Sequence, residues 1–160
     1  MGDNSLEHAD GQTHENEAQE VGSYTIIPFL GVTLVGEKLN FVHSRWMRTA
    51  RYGNDYFKLI DSDSYYKAYH KYILSILQRP DTIVRLAVLS DDRDTILGFS
   101  VSERTILHYV LVLGHDPDAR RKGIGRSLVP FEVTHITHVT KAILPIWNTK
   151  LPNAIFNPFL

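Results

Sequence analysis

The sequence of 160 residues contains no cysteine. Disulfide bonds, thiolate nucleophiles and zinc sites with cysteine ligands are therefore excluded. The sequence also lacks an apolar run that approaches the ~20 residues of a membrane-spanning helix. Its first residues have neither the basic start nor the apolar stretch of a secretory signal peptide. We therefore expect a soluble protein of the cytoplasm that has no membrane partner.

Lysine and arginine are missing from the first 22 residues, which hold six of the 18 acidic residues. This segment has few apolar side chains to bury, so burial cannot offset the entropy that it would lose on ordering. We predict a disordered acidic tail over residues 1–22 and a single folded domain over residues 23–160. The alternative, an arm that becomes ordered on a partner, stays open.

Hydrophobic periodicity and turn residues predict the order of the elements in the folded domain. The predicted elements are one bent strand or two short strands (residues 24–35), two helices (37–52 and 64–78), three strands (82–89, 95–102 and 105–113) and a last strand (142–148). Short polar connections make the three central strands antiparallel, which excludes a Rossmann topology. A helix should follow the third of them, although Pro130 would interrupt it.

The most distinctive motif follows the third central strand and reads Arg120-Arg121-Lys122-Gly123-Ile124-Gly125. Two glycines one residue apart let the backbone turn tightly and approach a ligand. The cations, and the free N–H groups that begin the next helix, favour a diphosphate-like anion. A dinucleotide-binding turn would need a third glycine in place of Leu128, and an ATP-binding loop would need Gly-Lys-Ser/Thr.

The spacing Arg120-x-x-Gly123-x-Gly125, together with the order of the elements, resembles the GNAT superfamily of N-acetyltransferases. The resemblance implies an α+β fold of three layers: a mixed, mostly antiparallel sheet with helices on both faces and a splayed strand pair. It implies acetyl-CoA as the acyl donor, with its pyrophosphate at the motif. The cofactor-binding residues implied in this way are Leu111, Val112, Leu113, Arg120, Arg121, Lys122, Gly123, Ile124, Gly125, Arg126 and Ser127.

Acyl transfer to an amine requires a proton acceptor for the amine, a donor to the thioester carbonyl and a proton for the thiolate that leaves. We assign proton transfer to His108, on the third central strand, and to Glu103, which ends the strand before it. Each has a structural alternative, a histidine satisfied within the sheet and an exposed turn carboxylate. The resemblance implies that a backbone N–H within residues 109–113 binds the carbonyl. The usual tyrosine after the last strand is missing, because the last tyrosine is Tyr109.

Three further stretches are distinctive: Asn40-Phe41-Val42-His43-Ser44-Arg45-Trp46, Leu107-His108-Tyr109-Val110-Leu111-Val112 and Asn157-Pro158-Phe159-Leu160. They resemble short acetyltransferase-like proteins encoded by tailed bacteriophages. This narrower resemblance implies a viral protein located in the host cytoplasm or in the virion.

Two functional hypotheses stand. In the first, the protein moves an acetyl group from acetyl-CoA to an unidentified primary amine by direct attack, and the intact glycine motif favours this view. In the second, it is a non-catalytic phage protein of the same fold with a virion-structural role or a phage or host protein partner, which the missing tyrosine favours. We expect no metal site, since His135 and His138 lack further ligands. We expect no nucleic-acid partner, because the cations are not interleaved with aromatic residues.

Overall fold

The computed structural model describes residues 17–114, 123–140 and 143–160. Within these ranges the chain forms a seven-stranded sheet whose strands lie side by side in sequence order. The antiparallel part consists of β1 (Gln19–Val21), β2 (Tyr24–Leu30), β3 (Thr82–Leu89), β4 (Ile96–Glu103) and β5 (Ile106–Val112). Two short strands, β6 (His135–Ile136) and β7 (Ile155–Phe156), run parallel to their neighbours. The fold is therefore α+β with a mostly antiparallel sheet, as the sequence predicts.

The folded chain begins earlier than predicted. Strand β1 lies within the segment assigned to the acidic tail and pairs with β2 through a turn at Gly22. The φ of Gly22 is +62°, a conformation that glycine adopts at little cost. A tight turn thus lets three largely exposed residues join the edge of the sheet, although they bury little apolar surface. The described fold therefore includes residues before Ser23, where the sequence predicts the folded domain to begin. Residues 1–16 lie outside the described residues, so disorder there stays a prediction.

Three helices cover one face of the sheet: α1 (Gly36–Gly53), α2 (Asp55–Leu59) and α3 (Ser62–Leu77). The two long helices confirm the predictions over residues 37–52 and 64–78. The short helix α2 was not predicted; the Asn54 side chain caps its start by accepting hydrogen bonds from backbone N–H groups. The Asp61 side chain caps α3 in the same way. The buried residues Val42, Trp46 and Ala50 of α1 stand at helical spacing and face the core.

Two short helices cover the opposite face: α4 (Ile124–Leu128) and α5 (Leu144–Lys150). A second core cluster on this side contains Leu107, Val110, Ile124, Leu128 and Ile136. The sheet thus has an apolar core on each face, which confirms the prediction of helices on both sides. In the described ranges no helix is long and apolar enough to cross a membrane.

The chain after the glycine motif differs from the prediction. Helix α4 ends at Leu128 because Pro130 disfavours helical torsion angles at the residue before it. That residue, Val129, is extended. The strand predicted over residues 142–148 is wrong, because Leu144–Lys150 is helical. Pro145 lies in the first turn of α5, where proline is tolerated because the N–H that it lacks would have no helical partner.

The splayed strand pair is formed by β5 and β6. The two strands pair in parallel only at Ile106 with His135 and at Leu107 with Ile136. A β-bulge lies at the same level of β5, because Leu107 is opposite Ser102 and Tyr109 is opposite Val101. His108 is the extra residue of that bulge. Beyond it, β5 continues along β4 without β6 at its side.

Candidate active site

A cavity of about 820 Å³ lies beside the part of β5 that β6 does not accompany. We call it the splay cavity. Its wall is formed by α1 (Thr49 and Gly53), β5 (Tyr109, Val110, Leu111 and Val112), the start of α4 (Gly123, Gly125 and Arg126), Thr140, and α5 (Pro145, Ile146 and Thr149). Most of this wall is apolar, and its polar groups are concentrated in a few hydroxyls, one guanidinium and the strand backbone.

The backbone of β5 presents an open edge to the splay cavity. On its other side the strand pairs with β4 along most of its length. On the cavity side, the Leu107 carbonyl accepts a hydrogen bond from the Thr137 N–H, and within the described residues no strand pairs with β5 beyond that point. An unpaired strand edge offers N–H and C=O groups to any extended molecule that carries amides.

The two motif glycines lie at one end of this cavity. Gly123 begins α4 with φ +74°, in the left-handed region that favours glycine. Gly125 permits close packing, because a Cβ atom there would lie 3.1 Å from Ile146 Cδ1 and 3.3 Å from Val112 Cγ2. Helix α4 has only five residues, so anion binding at its start depends on its free N–H groups more than on a long helix dipole.

Two cationic side chains stand at the same end. Arg126 borders the splay cavity and a second cavity of about 350 Å³, which also touches Lys150. The Lys150 ammonium donates to the backbone carbonyls of Arg126 and Val129 and so caps the end of α4. Burial lowers the pKa of Lys150, and the charge of Arg126 lowers it further. This end of the site is therefore the more favourable one for an anion.

Of the predicted cofactor-binding residues, Leu111, Val112, Gly123, Gly125 and Arg126 line the splay cavity. Their role in binding stays a prediction.

Three other predicted cofactor residues make contacts outside the wall. The Leu113 N–H donates to the Leu97 carbonyl at 2.8 Å, toward β4. Ile124 is fully buried in the core. The Ser127 hydroxyl lies 2.9 Å from Tyr24 Oη. The remaining three, Arg120, Arg121 and Lys122, lie outside the described residues.

Tyr109 supplies a phenol to the splay cavity. Its ring stacks on Trp46 and on Phe99, with centroid distances of 5.1 Å and 6.1 Å. Its hydroxyl lies 2.7 Å from Thr49 Oγ1. Burial raises the pKa of Tyr109 to about 12, although the hydrogen bond with Thr49 opposes the shift. The resemblance implies a tyrosine after the last strand, so the sequence does not predict a catalytic role for Tyr109, which lies on β5 just before the glycine motif.

The two predicted catalytic residues, His108 and Glu103, are neighbours but do not line the splay cavity. His108 is fully buried, and its Nε2 lies 3.5 Å from Glu103 Oε2. Burial lowers the pKa of His108. Burial also tends to raise the pKa of Glu103, but the hydrogen bond and charge of Arg79, 2.8 Å away, outweigh it and lower that pKa. Glu103 is therefore ionised near neutral pH.

His108 connects through Thr137 to a second histidine. Thr137 Oγ1 lies 3.1 Å from His108 Nδ1 and 2.8 Å from His138 Nδ1. We call Glu103, His108, Thr137 and His138 the polar row. Burial and the nearby His108 lower the pKa of His138 to about 4, against an opposing hydrogen bond from the His138 ring to the His108 backbone carbonyl. From the sequence alone, His138 is considered only as a metal ligand. Within the described residues, no group of three or more His, Cys, Asp or Glu is placed to hold a metal ion.

His138 borders another cavity, of about 470 Å³, which we call the aromatic pocket. Its wall is formed by Ala50, Asn54, Tyr56, Phe57, Tyr69, Tyr72, Thr137, His138, Val139, Thr140, Phe156 and Pro158. Thr140 lines both cavities. Gly53 also lies at this boundary, because a Cβ atom there would be 3.4 Å from Thr140 Cβ. The aromatic pocket and the splay cavity are therefore adjacent.

No protein-family model matches this chain, and no curated protein matches it. Among solved structures, the chain is similar to apo YjaB from Escherichia coli, with 22% identity and a TM-score of 0.42 over 66% of this chain. The match spans 60% of the length of YjaB. It is also similar to an aminoglycoside acetyltransferase from an uncultured soil metagenomic sample. In complex with sisomicin, that enzyme matches at 14% identity and TM-score 0.43, over 81% of this chain and 86% of its own. In complex with trehalose, it matches at 17% identity and TM-score 0.40, over 86% and 78%. These are likenesses of backbone arrangement.

Proposed function

We propose that the protein is an N-acyltransferase that takes an acyl group from an acyl-CoA thioester and transfers it to a primary amine. The splay cavity carries this proposal. It combines an open strand edge, a glycine turn beside Arg126, and the Tyr109 hydroxyl within one space. Acyl-CoA has a matching sequence of groups: a diphosphate, an extended arm with two amides, and a thioester.

The spacing of these features fits such an arm. Val112 meets Gly125 at the anionic end, and Tyr109 meets Thr49 at the other end. Three residues of strand separate Tyr109 from Val112, which is roughly 10 Å at 3.3 Å per residue. An arm that pairs with this edge would place its diphosphate near Gly123 and Arg126 and its thioester near Tyr109. Arg120, Arg121 and Lys122 remain predicted contributors to the same anionic end.

The chemistry requires few groups beyond those present. The amine nitrogen attacks the thioester carbon, a C–N bond forms, the C–S bond breaks, and the amine loses a proton. A cavity-side N–H of β5 would donate to the carbonyl oxygen as negative charge develops there. Tyr109, whose pKa is about 12, stays protonated near neutral pH and would donate to the sulfur that leaves. Tyr109 would thus take the role of proton donor that the resemblance assigns to a tyrosine after the last strand, which this sequence lacks.

Calorimetric titration with acetyl-CoA tests the proposal. The variant Thr149→Trp places an indole in the cavity wall, whereas Asn148→Trp adds the same side chain to the neighbouring exposed position outside the wall. We expect the wild type and Asn148→Trp to bind and Thr149→Trp to lose affinity by at least tenfold. Release of free thiol on addition of amines then measures transfer.

A folded wild-type protein that gives no heat with millimolar acetyl-CoA would overturn the proposal. That result would favour the alternative, a non-catalytic role of this fold in a phage particle or against a host protein. The resemblance to proteins of tailed bacteriophages stays a prediction from the sequence.

A further inference from the structure

The charge of Glu103 and the contacts between neighbouring side chains favour one order of the protons along the polar row. Because Arg79 keeps Glu103 ionised, its carboxylate accepts from His108 Nε2–H. His108 Nδ1 then carries a lone pair and accepts from the Thr137 hydroxyl. The Thr137 oxygen in turn accepts from His138 Nδ1–H. This order leaves a lone pair on His138 Nε2.

His138 is the end of the polar row that borders the aromatic pocket. The ring lines the aromatic pocket, while His108 is fully buried behind it. The ring is held edge-on by Trp46 and Tyr109, with centroid distances of 5.6 Å and 6.0 Å. A group in the pocket therefore meets a fixed, neutral proton acceptor.

The opposite end of the row reaches solvent. The side chain of Glu103 is 19% exposed, and that of its partner Arg79 is 34% exposed. A proton delivered to Glu103 can thus leave the protein, and the low pKa of this carboxyl favours its release. The row connects the aromatic pocket to bulk water at Glu103 through side chains alone.

The wall of the aromatic pocket restricts the molecules that it can hold. Its rings include Phe57, Tyr69, Tyr72 and Phe156, and its wall among the described residues contains no Asp or Glu. Each additional ammonium group placed there would lose hydration without a carboxylate partner, and cation–π contact with the rings offsets only part of that cost. The aromatic faces instead favour an apolar or aromatic body. One reactive amine on such a body fits, whereas a polyamine does not.

We infer that the aromatic pocket binds the acceptor, a monoamine on an apolar or aromatic body, and that His138 takes the proton of its reacting amine. The inference rests on the proposed function, which places the thioester in the adjacent splay cavity. Four transfers move the proton: amine to His138 Nε2, His138 Nδ1–H to Thr137, Thr137 O–H to His108 Nδ1, and His108 Nε2–H to Glu103. Each residue gains one proton and gives up one, so the proton leaves from Glu103 and both histidines finish with their proton on the other ring nitrogen. The reverse transfers restore the starting order after the product has left.

The matched pair Thr137→Val and Thr137→Ser tests the relay. Valine keeps the approximate shape and removes the hydroxyl, whereas serine keeps the hydroxyl. With acetyl-CoA and 2-phenylethylamine, we expect Thr137→Val to lower kcat by about 10²- to 10⁴-fold with little change in KM. Thr137→Ser should stay within a few-fold of the wild type, and both variants should bind acetyl-CoA normally. Wild-type turnover in Thr137→Val would overturn the relay.

The amine itself tests the pocket. Spermidine should react at least tenfold less efficiently than 2-phenylethylamine, as measured by kcat/KM, and a preference for spermidine would overturn the assigned substrate class. The pH profile of kcat/KM should differ between the wild type and His138→Asn. Titratable groups that face His138 are His108 and Tyr109 from β5 and Tyr69 and Tyr72 from α3. The control is His135→Asn, which makes the same change at a histidine outside the wall of the aromatic pocket, and it should keep the wild-type profile.

Two measurements without acyl-CoA separate this inference from the proposed function. Nitrogen-15 NMR should find His138 protonated at Nδ1 and unprotonated at Nε2, and titration with 2-phenylethylamine should shift the His138 signals. Both results would support the inference even in a protein that fails to bind acetyl-CoA. Protonation at Nε2, or no shift with millimolar amine, would overturn it even if acetyl-CoA binds.

Discussion

The hydroxyl oxygen of Tyr109, on the fifth strand, lies 2.7 Å from the hydroxyl oxygen of Thr49, on the first helix. The contact joins the sheet to the helical layer at the wall of the splay cavity. Both residues line the cavity, although the Tyr109 side chain is part of the core and only 4% exposed.

Removal of this phenol hydroxyl should slow transfer without loss of donor binding. We expect Tyr109→Phe to lower kcat at least tenfold and to leave the Kd for acetyl-CoA within a few-fold, since only the leaving sulfur loses a donor. Its free energy of unfolding should fall by about 1 kcal/mol, the typical value of one hydrogen bond. Thr49→Val, which keeps the phenol, is the control, and an equal loss of kcat in both variants would contradict a direct role for Tyr109.

Gly123→Ala should destabilise the protein and weaken donor binding together. The φ of +74° costs a non-glycine residue roughly 1–2 kcal/mol, although no other atom of the described residues lies within 4 Å of the added Cβ. Urea unfolding measures the stability and calorimetry measures the affinity. Asparagine tolerates this conformation better than alanine, so Gly123→Asn should recover part of the stability and part of the affinity. If Gly123→Ala changes neither quantity, the turn does not need glycine.

Gly125→Ala should be destabilising for a different reason, because its Cβ would press against Ile146 Cδ1 at 3.1 Å. We expect a loss of about 1 kcal/mol, as is typical of overpacking. Ile146→Val removes that Cδ1 atom, so the double variant should be more stable than the sum of the single changes predicts. Strict additivity in a double-mutant cycle would show that this contact does not determine the effect.

Stability should fall as the pH drops from about 6.5 toward 4. In this window the unfolded chain protonates His138, while the folded protein, with a pKa of about 4 there, keeps it neutral. The unfolded state then binds more protons, so acid favours it, by up to roughly 3 kcal/mol for this residue. The lowered pKa of His108 acts in the same direction. Urea unfolding of His138→Gln at several pH values should show a flatter dependence, and an unchanged slope would contradict the assignment.

The sequence predicted the elements whose patterns are long and regular. Helices α1 and α3 and strands β3, β4 and β5 follow from apolar spacing and from the polar turn before Thr95. The patterns fail after Gly123, where the sequence predicts a splayed strand around Pro145 and the structure has this proline in the first turn of a helix. Strands β6 and β7 have two residues each, too few to show any periodicity.

The candidate site was predicted only in part for a related reason. The glycine motif and β5 are local signals, and both glycines and the end of β5 from Tyr109 to Val112 line the splay cavity. The polar row is assembled from distant positions, with Thr137 29 residues after His108 along the chain. Its geometry depends on the bulge in β5 and on the parallel pairing of β6, and neither has a signature in one sequence.

Because β5 and β6 pair at only two positions, a ligand bound along the free edge of β5 would contribute to the stability of the folded protein. The sheet stops being continuous beside Tyr109, so an extended molecule along that edge would complete it as a further strand does. Part of the free energy that holds β6, β7 and α5 in place would then come from the bound molecule. A ligand bound there would in this sense complete the folded state, and the C-terminal segment should gain more order from binding than β2, β3 and β4, which are already paired on both sides.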